Sequence, residues 1–170
     1  MLAYQSGDII AVRGTRLLSR MIETASGFVS HVGLVTSIEP VMVTQAIMPS
    51  VATLSLKDTL ALVDHAYVLQ PLTISVTDLA AIVAYARSKV GEGYDYLDLL
   101  WQAANKISRS QWFTQHLASN KLVICSELVA RAFGSRGYAF GVARRSATPA
   151  EILNFALEHP NLYAVSPIKA

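Results

Sequence analysis

The chain has one cysteine in 170 residues. No disulfide can close within it, and zinc centres built from several thiolates at short spacing are excluded. Charged residues make up only 15% against 52% apolar, which rules out a disordered chain and predicts a well-buried interior. The net charge of +2 is too small to argue for a nucleic-acid partner, and Arg144-Arg145 and the Arg131/Arg136 region read as solvated faces. No run reaches the roughly 18 apolar residues of a membrane-spanning helix. The nearest, Val41 to Leu56, is interrupted by Gln45, Pro49 and hydroxyl residues and reads as strands and a turn. Met1 to Asp8 lacks a basic segment followed by an apolar one, so no signal peptide is read there and a cytoplasmic location is the default expectation. This much apolar content leaves a lipid-facing or oligomer-forming surface open. The length favours one domain, residues 1–170, and nothing in the sequence implies a metal or cofactor.

Periodicity then gives an order of elements. Gly7-Asp8 turns into a strand over Ile9 to Val12, and Thr15 to Ala25 carries helical spacing closed by Gly27. Ser30 to Thr36 and Val41 to Ala46 are strands joined at Glu39-Pro40, with further strands over Val51 to Leu56 and His65 to Gln70. Thr77-Asp78 looks like a cap for a helix running to Val90 and stopped at Gly91. Tyr94 to Ile107, Gln111 to Leu117 and Cys125 to Phe133 also read as helices. Thr148-Pro149-Ala150-Glu151 combines an N-cap, a proline at the first helical position and a capping-box glutamate. Leu162 to Ser166 is a terminal strand. Strands first and helices second make an α+β pattern.

Cys125 sits where an apolar approach, Leu122-Val123-Ile124, enters a helix. Backbone N–H groups at a helix start and the positive end of its dipole stabilise a thiolate. The Cys125 N–H is also a candidate oxyanion donor. On position alone, a reactive thiol and a small buried hydrophobe are equally supported. A thiolate nucleophile wants an imidazole beside it. His116 and His159 lie in polar or helix-end settings, and His65 opens a strand after Asp64. His31 begins a strong strand and is followed by Val32-Gly33, where the missing side chain permits a close approach. A third group has to accept a hydrogen bond from the other ring nitrogen. Gln45 on the next strand offers an amide oxygen, with Glu39 and Asp64 as carboxylate rivals; an outward polar role for Gln45 fits the alternation equally well.

Taken in order, Gly7-Asp8-Ile9-Ile10, His31-Val32-Gly33-Leu34-Val35, the strand reaching Gln45-Ala46, Gly91-Glu92-Gly93-Tyr94-Asp95-Tyr96 and Cys125-Ser126-Glu127-Leu128-Val129 resemble the permuted NlpC-type papain-like superfamily, and within it the YiiX/YebB-like hydrolases. The resemblance spans nearly the whole chain. It implies a circularly permuted papain-like (NlpC-like) α+β fold, a small antiparallel sheet packed on helices with Cys125 at a helix N-terminus. In this order the histidine strand precedes the cysteine helix. It implies Cys125 as nucleophile, His31 as proton shuttle and Gln45 as orienting group, where the family often has a carboxylate. Tyr94, Ser30 and Ser126 are implied to border the substrate. The implied substrate is a small peptide or other amide, of cell-wall or lipid-linked type, cleaved through a thioester. Acyl transfer, or lipid-amide or thioester cleavage, on the same residues is the first alternative. A binding module that kept the fold without the activity is the second.

Overall fold

The structure, a computed structural model, describes residues 3–14, 28–47, 50–61, 63–93, 125–141 and 147–168. The β-branched runs form six strands: β1 (Ile9–Gly14), β2 (His31–Ile38), β3 (Val41–Ile47), β4 (Ser50–Ser55), β5 (Val63–Pro71) and β6 (Tyr163–Ile168). They make one antiparallel sheet in the order β4-β3-β2-β1-β5-β6. The described helices are α1 (Leu56–Leu60), α2 (Val76–Ser88), α3 over residues 125–134, and α4 (Pro149–Glu158). The molecule is thus a mixed α+β fold with a six-stranded antiparallel sheet. Among the described residues no helix is long and apolar enough to cross a membrane.

Alternation along the strands divides the core between the two sheet faces. On one face Ile9, Ala11, Val32, Leu34 and Ala46 pack with Ile82 and Val83 of α2, Cys125, Leu128 and Val129 of α3, and Ile152 and Leu153 of α4. On the other, Ile10, Val12, Val35, Val43 and Val68 form a second cluster, on which Leu56 and Leu60 of α1 pack. A row of threonines crosses the first face: Thr36 Oγ1 lies 2.9 Å from Thr44 Oγ1, which lies 2.8 Å from Thr53 Oγ1. The row satisfies hydroxyls that burial would otherwise leave unpaired.

The capping box at Thr148 forms as its residues predict. Thr148 Oγ1 accepts from the Glu151 N–H at 3.2 Å, and Glu151 Oε2 accepts from the Thr148 N–H at 2.7 Å. The start of α2 differs from expectation. The cap is Ser75, extended at φ −64° and ψ 150°, whose hydroxyl accepts from the Asp78 N–H; the helix therefore begins at Val76, and Asp78 lies in its first turn. The turn of helix α1 was not anticipated. Ser55 caps it by accepting from the Asp58 N–H at 3.0 Å, so the fourth strand ends at Ser55 instead of running to Leu56. Arg131 pairs with Glu127 one turn earlier, and Arg136 Nε donates to Asp78 Oδ1 at 2.7 Å, so both basic residues sit in local surface pairs. The helices expected over 15–25, 94–107 and 111–117 lie outside the described residues.

Candidate active site

His31 is the first residue of β2 and stands opposite Val12 of β1. Ser30 secures this strand end: its N–H donates to the Val12 carbonyl at 3.0 Å, and its hydroxyl accepts from the Gly14 N–H at 3.1 Å. Alternation puts His31, Gly33 and Val35 on the face that Val43 and Gln45 share on β3. Gly33 lies between His31 and Val35, and a Cβ there would come 3.1 Å from Gln45 Cβ and 2.6 Å from Val43 Cγ1. The missing side chain leaves the space across which Gln45 reaches the imidazole. His31 Nε2 lies 2.7 Å from Gln45 Oε1.

Gln45 is itself held. It is 3% exposed, and its Nε2 donates to Thr59 Oγ1 of α1 at 3.1 Å. Thr59 Oγ1 in turn donates to the Ser55 carbonyl at 2.9 Å. The chain of bonds runs from the ring to the backbone of α1.

Cys125 comes from the other side of the sheet. It is 2% exposed and belongs to the core cluster of α2, α3 and α4. Its sulfur is hydrogen-bonded to His31 and receives the backbone N–H groups of Val32 and Ser126. With Nε2 directed at Gln45, Nδ1 is the ring nitrogen left for the sulfur. Burial pushes the Cys125 thiol up. The His31 charge, the hydrogen bond to the ring and the two N–H groups together outweigh burial, and the thiol lies below its ordinary range. Burial pulls the His31 ring down, while the Cys125 thiolate, their hydrogen bond and Gln45 bring it above its ordinary value. Both shifts favour one arrangement, a thiolate beside an imidazolium.

The remaining candidates separate from this pair. Ser126 is buried and its hydroxyl donates to the Ala147 carbonyl, tying α3 to the residue before the α4 cap. The Ser30 hydroxyl faces the β1 backbone. These serines position the strand end and the helix start. Glu39 and Asp64 are exposed. His65 packs against Phe28, with ring centroids 5.5 Å apart. His159 caps α4, bonded to the Phe155 carbonyl at 2.8 Å. Tyr94 and His116 lie outside the described residues. Sequence reasoning missed Thr59. Its signal was Ser55-Leu56-Lys57-Asp58, a serine followed three residues later by an aspartate, which marks the start of the helix carrying it.

No family model matches the chain, and no curated protein matches it in sequence. Among solved structures it is similar to the metalloprotein YiiX from Escherichia coli O157:H7, a DUF1105 protein, with a TM-score of 0.56 and 17% identity over 99% of this chain and 98% of that one. The neighbour's description as a metalloprotein raises the question of ligands here. Among the described residues no three His, Cys, Asp or Glu side chains stand together as a metal would require. The Gln45 oxygen, the next donor beside the Cys125–His31 pair, is already bonded to His31. The described residues do not make a metal-ligand set. The likeness reaches the fold: this chain has a YiiX-like fold.

Proposed function

We propose that the chain is a cysteine hydrolase of the permuted NlpC-type papain-like kind, cleaving an amide bond through a thioester. The observation that carries this reading is the hydrogen-bonded Cys125–His31 pair, backed at 2.7 Å by the Gln45 amide oxygen. The Cys125 thiolate adds to the substrate carbonyl carbon, forming a C–S bond and an oxyanion. As the oxyanion collapses, the C–N bond breaks, and the His31 imidazolium gives its proton to the leaving amine. The neutral ring then takes a proton from water as the water attacks the thioester. The C–S bond breaks, the carboxylic acid leaves and the ion pair is restored. Acyl transfer differs only in the amine that replaces this water.

Gln45 orients the ring and accepts its N–H without adding a negative charge. The Val32 and Ser126 N–H groups supply part of the stabilisation that a carboxylate would give, at the sulfur end of the pair. The substrate class in this reading is a small peptide or other amide, cell-wall-type or lipid-linked.

The test is the pH dependence of Cys125 alkylation by iodoacetamide. Labelling should stay rapid well below the ordinary thiol range near 8.5, and His31→Ala should return the profile to that range. A wild-type profile that follows an ordinary thiol, or a sulfur that resists alkylation in the folded protein, refutes catalysis and leaves a binding module. Cleavage of peptidoglycan fragments against lipid-linked amides then separates the two substrate types.

A further inference from the structure

We infer that Thr59 is a positioning residue, whose hydroxyl decides which end of the Gln45 amide faces His31. The inference deepens the catalytic reading above and rests on it for its consequence, though not for its geometry.

An amide has nearly the same shape either way round, with an acceptor oxygen at one end and a donor nitrogen at the other. A carboxylate at this place would accept from the ring with either oxygen. With Gln45 Oε1 toward His31, the ring donates through Nε2, and Nδ1 carries the lone pair that can take the thiol proton. Reversed, the amide presents N–H groups to Nε2. A neutral ring then has to accept there and carry its proton on Nδ1, where it cannot serve as a base toward Cys125. An imidazolium fares no better, because an N–H of the ring meets an N–H of the amide. One orientation supports the site and the other opposes it in both protonation states.

The far end of the amide makes the choice. The Thr59 hydroxyl has a single proton, directed at the Ser55 carbonyl 2.9 Å away. It faces Gln45 with lone pairs only and therefore selects the donor end, Nε2, at 3.1 Å. Ser55 stays in place because its own hydroxyl caps α1. At 3% exposure Gln45 has little contact with water that could exchange for Thr59. The bonds from the Ser55 carbonyl through Thr59 and Gln45 to Nε2 form one directed chain, and it fixes the base nitrogen.

Five proteins test this: wild type, Thr59→Val, Thr59→Ser, Gln45→Glu and the Thr59→Val, Gln45→Glu double variant, compared by Cys125 alkylation rate from about pH 4 to about pH 9. Thr59→Val should lower the rate on the acid side about tenfold in the wild-type background, roughly the worth of one lost orienting hydrogen bond. In the Gln45→Glu background it should change the rate less than about twofold, since a carboxylate needs no orientation. Thr59→Ser should restore the wild-type profile. Where the wild-type thiol reacts on the acid side, equal loss in both backgrounds, or none in the wild type, overturns the inference. A second readout is independent of thiol reactivity. In Cys125→Ala, ¹⁵N NMR of neutral His31 should show the Nε2–H tautomer, and adding Thr59→Val should mix the two tautomers. An unchanged tautomer overturns the inference. If the wild-type thiol proves ordinary while the tautomer responds to Thr59, the catalytic reading fails and the orientation device stands.

Discussion

Gly33→Ala tests whether the space beside His31 is essential. Gly33 has no left-handed backbone conformation, so the substitution carries no φ penalty, and its effect is steric. The new Cβ would lie 2.6 Å from Val43 Cγ1, far inside the roughly 3.5–4.0 Å optimum for carbon pairs. Val43 is wholly buried and β-branched, so it has no free rotamer to turn into. Overpacking of this kind costs about 1–3 kcal/mol. The smaller entropy of an alanine in the unfolded chain returns about 0.4–1 kcal/mol. The middle of these two ranges gives a net loss of about 1.3 kcal/mol in urea unfolding. Val43→Ala removes the clashing carbon, so the double variant should be more stable than the sum of the two single effects by about 1 kcal/mol. The same Cβ lies 3.1 Å from Gln45 Cβ and 3.4 Å from the Thr44 carbonyl, so the glutamine backs away from the ring. Acid-side alkylation of Cys125 should therefore weaken along with stability. Additive unfolding energies, or a variant within about 0.5 kcal/mol of wild type, would refute the argument that Gly33 is there for room.

Two other perturbations follow from buried polar groups. Asp8 is fully buried, with Oδ2 accepting from the Gln5 N–H at 2.9 Å and Gln70 Nε2 at 3.1 Å; burial nevertheless raises its carboxyl above the ordinary 3.8. A raised folded value favours the protonated form, so the stability Asp8 contributes through this shift is complete below 3.8 and fades as pH climbs through the raised value. Urea unfolding of Asp8→Asn at several pH values from acid to neutral should show the variant gaining on wild type as pH rises; a wild-type advantage that grows with pH contradicts the assignment. Thr148→Ala removes the reciprocal cap of α4 and should cost about 1 kcal/mol in the same measurement, with Thr148→Ser close to wild type.

The sheet was legible because β-branched runs separated by turn residues admit few alternatives. Ile9 to Val12, Ser30 to Thr36, Val41 to Ala46 and His65 to Gln70 each fall inside an observed strand or extend it by a residue. The α4 start was legible because three independent signals coincide at Thr148, Pro149 and Glu151. The start of α2 was misplaced because both Ser75 and Thr77 can cap, and the choice belongs to the backbone angles at Ser75. Helix α1 escaped notice because five residues are too few to show a period. At the site, a helix start and a strand start made Cys125 and His31 candidates, and their pairing was implied by the ordered resemblance. Thr59 could not be found that way, since its role depends on the direction of a hydroxyl proton, which leaves no spacing pattern in a sequence.

The site's placement explains how one imidazole can serve groups from opposite faces. Cys125 packs with the α2–α4 side of the sheet, while Gln45 and Thr59 belong to the α1 side. In the middle of a strand, the sheet itself would stand between two such partners. His31 is the terminal residue of β2, so its ring can donate through Nε2 to Gln45 Oε1 on its own face and meet the sulfur around the strand end, where the Val32 N–H also points at that sulfur. The chemistry therefore asks for a strand end, a helix bearing the thiol against one face and an amide fixed on the other. None of these demands sets the order in which the chain delivers them. In this chain the histidine strand precedes the cysteine helix, with Ser30 holding the strand end on β1 and the Ser126–Ala147 bond holding α3 in place.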